Sequence, residues 1–453
     1  MIFTRDSSFY RTLLRLAFPI AMQNLLSFAI SFAGNLMVGT LGDSAISGVY
    51  MGNQPHTLLM MFVSGTTGSL LILASQYWGK NDVASIKKVV SIGAMFTVVP
   101  SVFLALPCVL FSAQIIGLFT GDLRVIAEGT SYLRIVGWSY VFFAMSQLLI
   151  AAMRGVETAK IGMYISFSAL LVNVLLNYVF IFGRLGFPAM GVRGAAIATF
   201  MSRLVELSVA LIYVFRIDKK LNMKIRDFFQ FDRILLKDFV RYGLPNVGGS
   251  IVWSVNMMVS SAILGRYDSE VIAAASVAGM LSALIMIWMN GLSSAVGVIT
   301  GKTVGAGLYD KMKEYAKTVQ VIFITVGAFS GAVIFLLRDP FISLYNITDS
   351  AAMFTAQFIN VLAITTVGTC YQATCLFGLV KSGGDVSFVF KNDTIFVFGV
   401  VLPSAIIAAL NGAPPLIVFT CLKCDQILKC FVAVVKINSF NWMKNLTRDA
   451  VAE

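Results

Sequence analysis

Two asparagines four residues apart interrupt the apolar run SALLVNVLLNYVFIFG at residues 168–183. On a helix, Asn173 and Asn177 lie one above the other on a single face. Such amides donate and accept hydrogen bonds but take up no proton at physiological pH. Asn35 is a third amide in an apolar stretch. Carboxylates in these stretches are fewer: Glu206, three residues from Arg203, and Asp393 in FKNDTIFVFGVVLP. A charge at mid-bilayer costs on the order of 2.5–3.5 kcal/mol on insertion scales, so each needs a reason. Glu206 and Arg203 read as a mutually neutralising i, i+3 pair. Asp393 reads either as a cation-coupling group or as an ion-pair partner of Lys391 or Lys381. The three amides read either as the polar lining of a cavity or as glue between helices.

Other chemistries find no constellation. His56 is the sole histidine, so no His-based dyad, triad or zinc cluster can be assembled. Following Pro55, it reads as kink-side packing or as a proton relay. The GKT at 301–303 lacks the P-loop glycine, whose place is taken by Val296. Gly297, Gly301 and Gly305 are spaced instead for close helix packing. Cys421 and Cys424 form a CxxC without a partner pair, and the six cysteines read as buried thiols. No enzyme activity, cofactor or metal site is expected.

The elements that carry these residues follow from composition. The 453-residue chain is 58% hydrophobic and 12% charged, with mean hydropathy +0.84. A soluble protein so poor in charge could not cover its surface, for which about 25% charged residues is usual. Segments of roughly 20 apolar residues span the hydrocarbon core. Twelve are expected, at about 13–38, 46–74, 88–110, 125–152, 160–183, 191–215, 235–264, 271–301, 316–337, 351–380, 388–410 and 413–436. Arg5, Arg11 and Arg15 before the first resemble a signal peptide, but the apolar stretch is too long and lacks a small-x-small cleavage site. With the N-terminus cytoplasmic, 27 of the 34 lysines and arginines face the cytoplasm, Lys423 and Lys429 included. Six (Arg124, Arg134, Arg184, Arg193, Arg266 and Arg338) face the other side. The positive-inside rule therefore puts both termini in the cytoplasm and accounts for the net charge of +12 without nucleic acid.

The chain also repeats. Pro19 and Pro245, Gly39 and Gly265, Gly65 and Gly291, and Gly79 and Gly305 are each 226 apart. The phrases LRLAFP and VRYGLP, and IIGLFTGD and FISLYNITD, correspond, with Arg154 opposite Lys381. Six segments per repeat is an even number, so the repeats are parallel, related by an axis along the membrane normal. The expected architecture is all-α and polytopic: twelve transmembrane helices in two six-helix lobes around a central V-shaped cleft. The expected domains are an N-terminal lobe (1–215), a basic amphipathic linker on the cytoplasmic surface (216–234), a C-terminal lobe (235–436) and a cytoplasmic tail (437–453). Phe228, Phe229 and Phe231 favour a surface-lying linker over a plain flexible one.

Along nearly its whole length the chain resembles the multidrug and toxic compound extrusion (MATE) transporters. The resembling stretches include LMVGTLGDSAISG (36–48), AAMRGVETAKIGMYISFSALLVNVLLNYVFIFG (151–183), PAMGVRGAAIAT (188–199), NGLSSAVGVITGKTVGAG (290–307), VKSGGD (380–385) and NWMKNLT (441–447). The resemblance implies antiport in the cell membrane: a sodium ion or proton enters while an amphipathic, usually cationic, organic compound leaves by alternating access. Relatives often carry a carboxylate before xMVG, Asn then Asp on the fifth helix, and a glutamate soon after GLP. Here those places hold Asn35, Asn173 with Asn177, and NVGGSIVW with Ser250 and Trp253. Proton coupling in the N-terminal lobe is therefore expected to be weak or absent, which leaves Asp393 and then Glu206 as coupling candidates.

A promiscuous exporter needs adaptable apolar walls. Met257, Met258, Met280, Met286 and Met289 with Trp253 and Trp288 supply polarisable sulfur and π-faces, or else are ordinary membrane filler. Expected cleft positions are Trp253, Asn256, Met257, Met286, Trp288 and Tyr371. The expected partners are a small organic substrate and membrane lipids, with the protein a monomer. The alternative is a related exporter or flippase of a lipid-linked or polar metabolite.

Overall fold

The computed structural model describes residues 3–345 and 347–448. Among them all regular structure is helical. The helices begin where the repeat requires. In the first half they are α1 (Ser7–Gly39), α2 (Asp43–Gly52) continued by α3 (Gln54–Gly79), α4 (Val83–Leu110), α5 (Ser112–Gly117), α6 (Leu123–Val136) continued by α7 (Tyr140–Gly155), α8 (Lys160–Phe182) and α9 (Gly191–Ile212). In the second half they are α10 (Arg233–Leu264), α11 (Ser269–Gly305), α12 (Tyr309–Leu336), α13 (Arg338–Ile342), α14 (Asp349–Ala373), α15 (Val386–Phe396), α16 (Leu402–Leu410), α17 (Pro415–Lys423) and α18 (Asp425–Asn438). The first residues of α1, α2, α4, α5, α6 and α8 recur 226 positions later at the starts of α10 to α15. Pro19 and Pro245 each lie inside the first helix of their repeat, twelve residues from its start.

Local chemistry sets several of these boundaries. The Asp82 carboxylate accepts from the Ser85 N–H at 3.0 Å to cap α4, and Asp122 accepts from the Arg124 N–H to cap α6. Gly183 closes α8 at φ +67°, with the Ala189 backbone against the position a side chain would take. π-helical turns at Thr374–Lys381 and Val397–Val401 prolong α14 and join α15 to α16.

Among the described residues, eleven helical stretches are long and apolar enough to cross a membrane. The twelfth expected segment, 413–436, is the exception. It divides at Cys424 into α17 and α18, and it carries Lys423, Asp425 and Lys429 in its centre.

The helices pack into two compact units: residues 22–243, and residues 244–448 with residues 3–21. The first unit has a core that includes Val49, Tyr132, Leu133, Tyr140, Ala144 and Ala196. Within the second, a core of Val271, Ala278, Ile334, Phe358 and Phe419 is centred on the stacked rings of Phe358 and Phe419, 4.2 Å apart. Thus α1 begins in one unit and ends in the other, and α10 makes the reverse passage.

Matching ion pairs fasten the starts of these two helices. Asp6 pairs with Lys311 at 2.7 Å and accepts from the Tyr315 hydroxyl at 2.6 Å, both on α12. At the position 226 later, Asp232 pairs with Lys88 on α4 at 3.2 Å. Asp227 in the linker pairs with Lys87 at 2.9 Å, and the Ser91 hydroxyl donates to the Phe228 carbonyl. The linker is therefore fastened to α4, with Leu221 and Met223 buried while Ile225, Phe229 and Phe231 stay exposed.

Candidate functional site: buried polar clusters in each unit

In the 22–243 unit, the Asn177 side chain donates to the Asn173 carbonyl oxygen at 2.9 Å, and both residues are buried. The Asn177 carbonyl oxygen itself has no hydrogen-bond partner. Asn35 is exposed, and no hydrogen bond joins it to the pair, although Gly34 beside it approaches Asn177. The stacked amides are thus a two-residue unit with one free acceptor.

Glu206 is 2% exposed. It pairs with Arg203 at 2.6 Å and accepts from the Gln147 amide at 3.0 Å, so both carboxylate oxygens are engaged. The Arg203 guanidinium also lies 4.8 Å from the Phe143 ring centroid. The same ring packs against His56 at 4.8 Å, and Tyr140, one turn before it on α7, lies 5.7 Å from His56. His56 is held among aromatic rings, as its packing reading expects. Arg154, at the end of α7, pairs with no carboxylate among the described residues; it donates to the Gln23 side-chain oxygen at 2.7 Å.

The second unit holds a denser cluster. The Lys429 ammonium lies 2.9 Å from Asp393 and 3.0 Å from Asp425, and it is 6% exposed. The Gln426 amide donates to Asp425 at 3.0 Å and accepts from Gln372 at 2.9 Å and from the Thr369 hydroxyl at 3.1 Å. The cluster thus draws on α14, α15 and α18. Two polar atoms beside it are unsatisfied: the Asn392 amide nitrogen and the Gln372 side-chain oxygen. The cluster thus sets two carboxylates around one ammonium, one negative charge in excess.

Asp393 therefore pairs with neither Lys391, which is exposed, nor Lys381, whose ammonium lies over the Phe377 ring. Its partner Lys429 is counted by sequence among the cytoplasmic cations, yet it is buried between carboxylates. Sequence reasoning also passed over Asp425. The signal that could have found both is their i, i+4 spacing inside an apolar segment.

Along α10, Trp253, Met257 and Met258 are exposed, as are Met280 and Trp288 on α11. Asn256 and Met286 are half-buried, and the Asn256 side-chain oxygen has no partner. Trp288 packs near Phe18 at 6.4 Å. Met289 is 3% exposed and belongs to the interior. Tyr371 is buried within its unit and donates to Gln320 on α12 at 2.8 Å, so it does not share the exposed surface.

The structure also unites two motifs that are far apart in sequence. The Trp442 ring, fully buried, packs on Gly383, and the Gly383 carbonyl accepts from the Lys444 N–H at 2.7 Å. Asp385 pairs with both Lys436 and Lys444, at 2.7 and 2.8 Å. Gly384 adopts φ +107° against the Lys444 backbone, where a side chain would collide. The segment 441–446 is therefore fastened to the end of α14 by VKSGGD.

Two helical repeats, each burying ionisable side chains in an apolar bundle, define a membrane transporter fold. The family model described as MatE matches residues 19–179 and 245–407, one match per repeat. The chain belongs to the MatE family of membrane transporters. It is 23% identical over 403 residues to a probable multidrug resistance protein, YoeA, of Bacillus subtilis, covering 88% of this chain and 87% of that one. It is 25% identical over 400 residues to a probable multidrug resistance protein, NorM, of Streptococcus pneumoniae, covering 86% of each. Among solved structures, a mutant of the Vibrio cholerae MATE transporter VcmN shares the fold with a TM-score of 0.87 at 14% identity, covering 97% of this chain and 98% of that one.

Proposed function

We propose that this multi-pass membrane protein is a cation-coupled antiporter that exports small amphipathic organic compounds by alternating access, with both termini in the cytoplasm. The observation that carries the coupling reading is the Lys429–Asp393–Asp425 cluster. It is buried, has one carboxylate more than its ammonium, and lies beside unsatisfied Asn392 and Gln372 atoms. Asp393 is the group assigned to bind the coupling ion, a proton or sodium, in one state and release it in the other. Glu206 is bonded to Arg203 and Gln147 and has no free oxygen, so its role is to hold the bundle. The Met- and Trp-rich surface of α10 and α11 is assigned to contact an apolar substrate without fixed geometry.

Dye efflux from proteoliposomes under an imposed sodium or proton gradient tests this reading. Asp393→Asn keeps the side-chain shape and removes the charge. The expected result is loss of gradient-driven efflux at normal expression. Unchanged efflux would make Asp393 structural and move the coupling site elsewhere.

A further inference from the structure

We propose that the corner formed by α5, α6 and the start of α9 binds an anionic phospholipid, headgroup phosphate inward, at the end of the unit opposite the basic loops. A cavity of about 560 Å³ opens there. Its walls are Ala113, Leu123, Ile126, Ala127 and Ile135, and two arginines, Arg134 and Arg193, line it. No acidic residue lines it. Both arginines are exposed, and neither has an ion pair among the described residues. The Thr130 hydroxyl lines the same cavity, is buried, and lacks a hydrogen-bond partner.

Cations on this side are rare. Only six of the 34 lysines and arginines are placed at this end, and two of the six meet in one cavity. The surrounding surface is apolar: Leu110, Phe111, Leu118, Phe119 and Leu123 are all exposed, with Trp138 one turn beyond Arg134. Two guanidiniums and a free hydroxyl suit a phosphodiester, and the apolar surround suits its acyl chains. Exposed Trp at the edge of an apolar band is what an interfacial site carries.

The other repeat supplies an internal comparison. At the position 226 after Arg134 stands Asn360, and it accepts from Arg338 at 3.0 Å. Arg338 is in turn neutralised by Asp339 at 2.7 Å. The equivalent arginine is thus internally paired, whereas the α5–α6–α9 corner keeps two charges without counterions among the described residues.

The test is native mass spectrometry of the full-length detergent-solubilised protein, delipidated and then titrated with phosphatidylglycerol or phosphatidylcholine. The wild type should retain phosphatidylglycerol preferentially. Arg134→Gln/Arg193→Gln should lose about tenfold in retention, Arg134→Lys/Arg193→Lys should keep part of it, and Arg184→Gln, outside the cavity, should not change. Equal retention of both lipids by the wild type, or undiminished retention by the glutamine variant, would overturn the proposal. So would competition by millimolar inorganic phosphate, which would make the site one for a free anion. If the glutamine variant does not fold, the wild-type lipid preference and its loss in the Arg193→Gln single variant decide the matter.

Discussion

Lys429 is where a single side chain carries most. It neutralises two buried carboxylates, so truncating it leaves both without a counterion. Breaking a buried pair in this way costs about 3–5 kcal/mol. Lys429→Met should lower the midpoint of thermal unfolding in detergent more than Asp393→Asn or Asp425→Asn, each of which leaves the ammonium one partner. Equal losses for the three would mean that the ammonium is not shared. The amide pair leads to the opposite expectation. Asn173 and Asn177 bond each other and cannot titrate. Asn35→Ala/Asn177→Ala should therefore retain proton-driven efflux near the wild-type rate. Selective loss of a proton-driven component, with fold and sodium drive intact, would move coupling into the 22–243 unit. Here the sequence was half legible. The stacking of Asn173 on Asn177 follows from spacing alone, and so does the Arg203–Glu206 pair. The partner of Asp393 does not, because Lys429 is 36 residues away and only tertiary packing brings α15 to α18.

Most helix starts were readable to within three residues, because hydropathy and a 226-residue repeat constrain them together. The exceptions are α1, α4 and α12, which begin five to seven residues before their expected apolar stretches, in polar first turns. What escaped was the interruption at Cys424 and the fastening of 441–446 onto VKSGGD. Three charged residues within seven positions depress the local hydropathy of the twelfth segment. The Asp425–Lys429 spacing is local, but Asp393, the second carboxylate on Lys429, is brought there only by packing. The fastening depends on Asp385. Burial pushes its carboxyl up, but the Lys436 and Lys444 ammoniums outweigh burial and hold it below the usual carboxylate range. Asp227 and Asp232 are lowered likewise against burial, by backbone N–H groups with Lys87 and Lys88. Lys311 first, then Ser8 and Tyr315, hold Asp6 lower still. A depressed folded-state pKa adds stability that is complete above the unfolded value near 4 and is lost as pH falls through the folded value. Thermal unfolding followed from pH 7 to pH 3 should therefore show an acid-side decline. In Asp385→Asn that decline should be shallower, from a lower starting stability. An unaltered acid limb would sink this account of the fastening.

For the molecule as a whole, charge asymmetry is the warrant for orientation. In a cysteine-free background, Lys219→Cys in the linker and Phe187→Cys between α8 and α9 occupy exposed positions at opposite ends of the helices. A membrane-impermeant maleimide applied to intact cells should label Phe187→Cys and leave Lys219→Cys unlabelled until lysis. The reverse pattern would invert the topology.

The reciprocal passage of α1 and α10 bears on how such a chain is made. The first turns of α1 present Phe9, Leu13, Leu16 and Ile20, all of which end up buried. Their fastening point on α12, Lys311, is synthesised some three hundred residues after Asp6. At translation rates of about 5–20 residues per second, that is a delay of roughly 15–60 s. For that interval the nascent chain holds out a helix end with no docking surface, visible to membrane chaperones and proteases. The other repeat waits far less, since α4 is already in place when Asp232 emerges. A chain stopped after the first repeat should therefore be a degradation substrate, and residues 233–448 supplied as a separate polypeptide should protect it.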